Sequence, residues 1–302
     1  MDLLLEFQNG IKEQNLFSSK DKLLLAVSGG IDSVVLCELC KQAGYDFTIA
    51  HCNFQMRGEE SERDETFVRA LGKKYAVEVL VKKFDTEKYA IENKTGVQEA
   101  ARNLRYSWFA ELLGSRTQNA ELKTLNYLLT AHHANDSVET LLMNFFKGTG
   151  IRGLQGILST HELMPFIVRP LLFAKKEELV DFATQNKLAF VEDSSNESDK
   201  YTRNYFRNQL IPSLKKVYPN VEDNLIDNLQ RFGDIEILYR QSIELHKKKL
   251  LEQKGEEYHI PVLKLKKAEP LATIIYEIIR DFNFSSQQVN DVIHLLESES
   301  GR

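Results

Sequence analysis

The sequence predicts an α/β protein: a Rossmann-like, mostly parallel sheet followed by a smaller, mainly helical domain. Three observations predict it. From Lys22 onward short apolar runs alternate with amphipathic segments, the pattern of strands and helices taking turns. A two-glycine turn joins the first apolar run directly to a helical segment. Beyond Asn208 the composition shifts to prolines and then to a long stretch with apolar residues at helical spacing.

In chain order, residues 23–27, 47–51, 77–81 and 127–131 carry the apolar runs of strands. Residues 33–42, 60–75, 98–113 and 137–146 between and after them carry helical periodicity. Pro212 and Pro219 then punctuate the chain, and Val221–Leu250 carries apolar residues at helical spacing with few turn signals, which marks a separate helical module. A short β-like piece over 258–265 and a helix over 271–281 follow. The expected division is a first domain over residues 1–211 and a mainly helical second domain over 212–302. There is no internal repeat and no low-complexity segment. The sequence stops at Glu299-Ser300-Gly301-Arg302 directly after a helical pattern, which leaves open a longer parent chain.

At 302 residues, with 42% hydrophobic and 27% charged positions, the chain has a globular balance and length for roughly two domains. Thirty-nine basic against 44 acidic residues give a net charge of -5, which argues against coating nucleic acid through bulk charge and leaves local basic surfaces open. No apolar run reaches the roughly 18 residues of a membrane span, and Met1-Asp2-Leu3-Leu4-Leu5 is too short and acidic for a signal peptide. No membrane partner and a cytoplasmic location are therefore expected. Of three cysteines, Cys37 and Cys40 form a C-x-x-C spacing, but they lie in an apolar stretch with helical spacing, so packing is expected of them rather than redox or metal chemistry. The oligomeric state stays open.

The most informative local feature is Ser28-Gly29-Gly30-Ile31-Asp32-Ser33, between an apolar strand and a helix. Such a turn presents backbone N–H groups and a helix N-terminus to an anion, and glycines let the chain approach a phosphate closely. It lacks the Lys-Ser/Thr ending of the P-loop and the third glycine of the dinucleotide fingerprint, which disfavours kinase-like phosphoryl transfer and hydride transfer. The plainer alternative is a strand-to-helix turn capped by Asp32 or Ser33. The string resembles the SGGxDS loop of the PP-loop ATP pyrophosphatases, which bind the pyrophosphate end of ATP and transfer AMP to a carbonyl-type oxygen.

Further strings resemble one family within that superfamily, the tRNA(Ile)-lysidine synthetases. His51-Cys52-Asn53-Phe54-Gln55-Met56-Arg57-Gly58-Glu59-Glu60-Ser61 is similar to the family's H-x-N-H-x-L-R-G-x-x-S, with Phe54 in place of histidine and Met56 in place of leucine. Glu99-Ala100-Ala101-Arg102-Asn103-Leu104-Arg105-Tyr106 puts two arginines on one helix face, suited to a carboxylate or phosphate, though such a pair also reads as a solvated basic stripe. Thr130-Ala131-His132-His133-Ala134-Asn135-Asp136-Ser137-Val138-Glu139-Thr140 opens a helix just past a strand, where open α/β sheets bind ligands. Asp136 and Glu139, three apart, can face one pocket and hold ammonium groups or Mg²⁺. A zinc cluster with the histidines, or Asp136 as a helix cap, is the alternative, and Asn135 stands where the family has aspartate. Lys147-Gly148-Thr149-Gly150-Ile151-Arg152-Gly153-Leu154, Arg169-Pro170-Leu171-Leu172, Asp193-Ser194-Ser195-Asn196 and Arg203-Asn204-Tyr205-Phe206-Arg207 complete the resemblance.

The resemblance implies ATP as co-substrate with Mg²⁺, and free L-lysine and the isoleucine tRNA with a CAU anticodon as partners. ATP would adenylate the C2 oxygen of the wobble cytidine, and the lysine ε-amine would displace AMP to give lysidine. It implies residues 28–33 for the pyrophosphate and Asp32 beside Mg²⁺. Asp136 and Glu139 would hold the lysine amines, Arg105 its carboxylate, and His132 the nucleotide or activated base. Arg203 and Arg207 would meet phosphates or tRNA, with Arg57, Lys215, Lys216, Lys247-Lys248-Lys249, Lys264 and Lys266-Lys267 as further phosphate contacts. Two other readings stand beside it: a PP-loop tRNA thiolase using Cys37 and Cys40, and a nucleotide-binding module that has lost catalysis. An amide-forming synthetase of the same superfamily would leave several of these strings unexplained.

Overall fold

Leu23, Leu24 and Leu25 have no solvent exposure, and the strand that carries them is the centre of the sheet. The computed structural model describes residues 2–114, 125–161, 163–192 and 202–298; Asp193-Ser194-Ser195-Asn196 and the last four residues lie outside the described residues. Helix α1 (Leu3–Glu13) starts under the Asp2 carboxylate, which accepts from the Leu4 and Leu5 N–H groups. It buries Leu3, Phe7 and Ile11, one every turn. Then come β1 (Lys22–Ala26), α2 (Ile31–Gln42), β2 (Asp46–Asn53), α3 (Glu59–Tyr75) and β3 (Val79–Lys83). Helices α4 (Thr86–Glu92) and α5 (Val97–Gly114) precede β4 (Tyr127–Leu129), α6 (Ala134–Lys147), β5 (Ile167–Val168) and α7 (Lys176–Gln185).

The sheet order is β3-β2-β1-β4-β5, all parallel. Leu24 pairs in register with Thr48 on one side and Leu128 on the other. Strand period sends Leu23 and Leu25 to one face, into a cluster with Val34, Val35, Leu39 and Phe7, while Leu24 joins Phe84, Trp108 and Phe109 on the opposite face. Both faces are covered, as a parallel sheet requires. The chain leaves β1 and β4 in the two directions from the middle of this order, so a crevice opens at their carboxyl ends.

Helices α8 (Thr202–Tyr205) and α9 (Ile211–Val217) flank one π-helical turn over Phe206–Leu210 and lead into α10 (Val221–Leu250). A hairpin of β6 (Glu252–Lys254) and β7 (Glu257–His259), then α11 (Val262–Leu265), α12 (Leu271–Ile279) and α13 (Gln288–Glu297), complete the described chain. The contacts divide it into two compact units, Met1–Leu229 and Gln230–Arg302, so the division falls within α10. In the first unit Leu225, Ile226 and Leu229 pack on Val138, Leu142 and Ile211. The second has its own core of Ile243, Leu250, Leu265, Ile274, Ile275 and Ile278.

The four expected strands and the six expected helical stretches are present with shifts of a few residues at most at their ends. The piece expected to be β-like over 258–265 divides instead: only Glu257–His259 is strand, and beyond Pro261 the chain makes a helical turn. Proline at the N-cap fixes the backbone for helix entry, and that outweighs the β-favouring residues around it. No described helix is long and apolar enough to cross a membrane.

Candidate functional site

The crevice at the carboxyl ends of β1 and β4 is a cavity of about 1130 Å³. Ser28, Gly30, Ile31, Asp32 and Ser33 form one wall; Thr130, Ala131, His132 and Asp136 form the wall that follows β4. Arg105, Tyr106, Phe54 and Cys52 come from the far face of the sheet, and Lys176, Phe190, Val191 and Arg203 from later in the chain.

The turn after β1 is held by its own serines. Ser33 Oγ accepts from the Gly29 N–H at 3.2 Å and donates to the Gly30 carbonyl at 2.8 Å, while the Gly30 N–H donates to Ser28 Oγ at 3.3 Å. Gly29 has φ +99°, and a Cβ there would lie 2.7 Å from Val191 Cγ2, so both conformation and space call for glycine. Gly30 caps α2 without a side-chain hydrogen bond, leaving the helix N-terminus to a ligand at the cavity. Asp32 pairs with Lys176, Nζ to Oδ1 2.5 Å.

Past β4, Thr130 Oγ1 is 2.9 Å from His132 Nδ1. Burial holds the His132 imidazole down to about 4, the nearby Asp136 only partly opposing, so the ring is neutral at physiological pH. Asp136 accepts the His133 N–H at 3.0 Å. Burial would raise its carboxyl, but His133, His132, that hydrogen bond and Arg207 carry it below its usual range. Glu139, one turn on and 1% exposed, is instead raised by burial, with Arg207 pulling the other way. Arg207 grips Glu139 with two bonds, 2.6 and 3.1 Å, and Asp136 at 3.0 Å; Arg203 donates to Thr140 Oγ1 at 2.9 Å.

The structure thus brings Ser28, Gly30, Ile31, Asp32, Ser33, Arg57, Arg105, His132, Asp136 and Arg203 to one cavity. Glu139 and Arg207 sit behind Asp136 as its ion-paired backing. Lys215 pairs with Glu222 away from this cavity, beside a small polar pocket, and Lys216 is exposed. Arg57 pairs with Asp64 at 3.2 Å at the cavity edge. Lys247 pairs with Asp281 and Lys264 with Glu252. Arg102 and Arg105, which share a helix face, each stack on an aromatic ring, Tyr106 and Phe54 respectively, and only Arg105 lines the cavity. Phe54, where the family motif has histidine, stacks on Phe84 and carries the Arg105 guanidinium.

Asn135, where the motif has aspartate, bridges two elements: its amide donates to Glu222 and its oxygen accepts the Lys176 N–H, each at 2.9 Å. Cys37 and Cys40 are fully buried with thiols pushed up by burial, and neither lines the cavity. Cys52 does line it, its thiol pushed up to about 12 by burial. Lys176 escaped the sequence reading because Lys175-Lys176-Glu177-Glu178 has the composition of any solvated helix start.

Among the described residues no group of three or more His, Cys, Asp and Glu is placed to hold a metal ion. Asp32 lines the cavity at the loop as a single carboxylate, ion-paired with Lys176.

Residues 3–214 match the family model of the PP-loop domain, and residues 253–302 match that of the TilS substrate binding domain. A tRNA(Ile)-lysidine synthase of Bacteroides thetaiotaomicron is 38% identical over 292 residues, covering 97% of this chain and 65% of that protein. One of Chlorobaculum tepidum is 31% identical over 309 residues, covering 98% and 89%. The chain spans 62–65% of the length of the first four curated relatives it matches. Among solved structures, a U34-tRNA thiolase from Methanococcus maripaludis shares the fold at a TM-score of 0.59 with 14% identity, over 76% of this chain and 78% of that one. A PP-loop match over most of the chain, with relatives above 30% identity along nearly all of it, places the chain in the tRNA(Ile)-lysidine synthase family.

Proposed function

We propose that this chain ligates L-lysine to C2 of the wobble cytidine of the isoleucine tRNA with a CAU anticodon, consuming ATP and releasing AMP and pyrophosphate. The observation that carries the reading is the placement of the phosphate loop and the ionised Asp136 on adjoining walls of one cavity, with Arg105 across from them. An adenylating site needs the first, and capture of an amino acid bearing two amines and a carboxylate needs the others.

In this reading residues 28–33 hold the pyrophosphate end of ATP through backbone N–H groups and the α2 N-terminus. The C2 oxygen of the cytidine forms a bond to the α-phosphorus while the bond to pyrophosphate breaks. Asp32 would be the protein ligand of a Mg²⁺, which would supply charge neutralisation for the leaving group. Neutral His132 contacts the nucleotide or activated base. Asp136 and Glu139 hold the lysine amines and Arg105 its carboxylate.

Asp136 faces the cavity and meets the ammonium directly, whereas Glu139 lies behind it in the grip of Arg207 and reaches an amine only when that arginine turns away; one of the two carboxylates takes the ε-ammonium proton. The freed ε-amine attacks C2 and AMP leaves with the bonding pair. Arg203 and Arg207 meet phosphates or tRNA in this account, and Arg57, Lys215 and Lys216 supply further backbone contacts. We infer a cytoplasmic location and assign tRNA contacts to the part after residue 211. Delivery of sulfur is disfavoured because Cys37 and Cys40 do not reach the cavity.

The test is AMP release from ATP with unmodified CAU-anticodon tRNA and lysine, followed by mass analysis of the nucleosides. AMP that requires both partners, with lysidine appearing, is the expected result. AMP with no lysidine, or a thiolated base that disappears on replacing Cys37 and Cys40, would sink the reading.

A further inference from the structure

Of the cations that line the cavity, Arg57 and Arg63 meet Asp64, Arg105 lies over Phe54 and Arg203 bonds to Thr140. Lys176 meets the phosphate loop itself, with Nζ 2.5 Å from Asp32 Oδ1 and both side chains partly open to the cavity. Its backbone is fixed: the Lys176 N–H donates to Asn135 Oδ1 at 2.9 Å, and the Lys175 N–H donates to Glu178 at 2.8 Å. Asn135 is in turn tied to Glu222. The Cα cannot wander, whereas the four-carbon stem can re-aim the ammonium. The loop Ser28-Gly29-Gly30 contains no lysine of its own, unlike a P-loop, so the full positive charge that a polyphosphate calls for has to come from outside it.

We propose that Lys176 is a further catalytic residue, a ligand of the β- and γ-phosphates of ATP. Its contact with Asp32 is the position in which the ammonium waits. This rests on the ATP-using reading of the cavity given above. With the Asp32 carboxylate engaged by a metal ion carried on the phosphates, Nζ would be free to swing to the phosphates at the same loop. As the bond from the α-phosphorus to the bridging oxygen breaks, the electron pair goes to that oxygen, and the ammonium meets the charge gained by pyrophosphate. Lys176 itself gains and loses no proton.

The test is equilibrium binding of ATP, pyrophosphate and AMP, with and without Mg²⁺, to the intact chain and to its Lys176→Gln and Lys176→Arg variants. Lys176→Gln is expected to weaken ATP and pyrophosphate about ten-fold or more while AMP, which lacks the β- and γ-phosphates, stays within about two-fold. Lys176→Arg should recover most of the loss. Equal losses for ATP and AMP would make Lys176 a prop for the loop, and unchanged ATP and pyrophosphate affinities would reduce the pair to an ordinary surface ion pair. Either result overturns the proposal with ATP use intact. If the unaltered chain binds neither ATP nor pyrophosphate, the ATP reading itself falls and the role of Lys176 with it.

Discussion

At Gly29 the backbone needs a positive φ, and a side chain would run into Val191 and Phe67; at Gly30, one residue on, φ is negative and the nearest atom to an added Cβ is Ser28 Oγ at 3.5 Å. The two glycines of one motif therefore carry different burdens. Gly29→Ala is expected to cost about 2–4 kcal/mol from left-handed strain plus overpacking, and Gly30→Ala under about 1 kcal/mol. Urea denaturation of the two variants checks this, and equal costs would contradict the geometry. The loop was legible in sequence because it needs small residues at fixed places between a strand and a helix. The pairing of Lys176 with Asp32 was not, since the 144 positions between them leave no local trace. Nor was the burial of Glu139: its i, i+3 relation to Asp136 suggested a shared pocket, but Arg207 sequesters it behind the cavity wall.

Three helices meet at Asn135. It opens α6, holds the first N–H of α7 and receives Glu222 from the start of α10. An aspartate there would keep the contact to Lys176 but face the Glu222 carboxylate at hydrogen-bond distance with no proton to share at neutral pH. Asn135→Asp is expected to destabilise the chain by about 1–3 kcal/mol, and adding Glu222→Gln should return most of it. A double-mutant cycle by denaturation measures the coupling; additivity would mean that the bridge contributes nothing. Long elements with one clear period were readable, as Val221–Leu250 was, whereas α7, ten residues with only Leu179 and Ala183 buried, was not. Strand β5 was not, because two residues have no period, and α1 was passed over because Leu4 and Leu5 beside Leu3 blur the helical spacing of Leu3, Phe7 and Ile11.

On the scale of the molecule, three histidines of the first unit, His51, His132 and His133, are all held below their ordinary value by burial, His132 to about 4. In the unfolded chain they take up protons near 6.5, whereas in the folded one they stay neutral to lower pH. Stability is therefore complete above about pH 6.5 and falls as pH drops from there toward 4. Glu139, raised by burial, pulls the other way only nearer the carboxylate range. Melting temperature measured from pH 8 to pH 5 should fall below pH 6.5, with a shallower fall in His132→Gln; a flat profile would mean the rings are charged in the fold. The succession of elements announced the architecture, but which histidines are buried depends on chain segments that meet only in space.

The sheet order has a last consequence. Lys22 at the start of β1 bonds to Asn126 just before β4, across 104 positions, while β1 and β2 are joined by one helix. During synthesis the anion turn and its first neighbour strand are complete long before the strand that brings the histidines and carboxylates. Closing so long a loop adds little to its thermodynamic cost but slows the encounter. The nascent chain thus carries the glycine turn without the wall that follows β4 until that strand docks, and the cavity is incomplete until the sheet is whole.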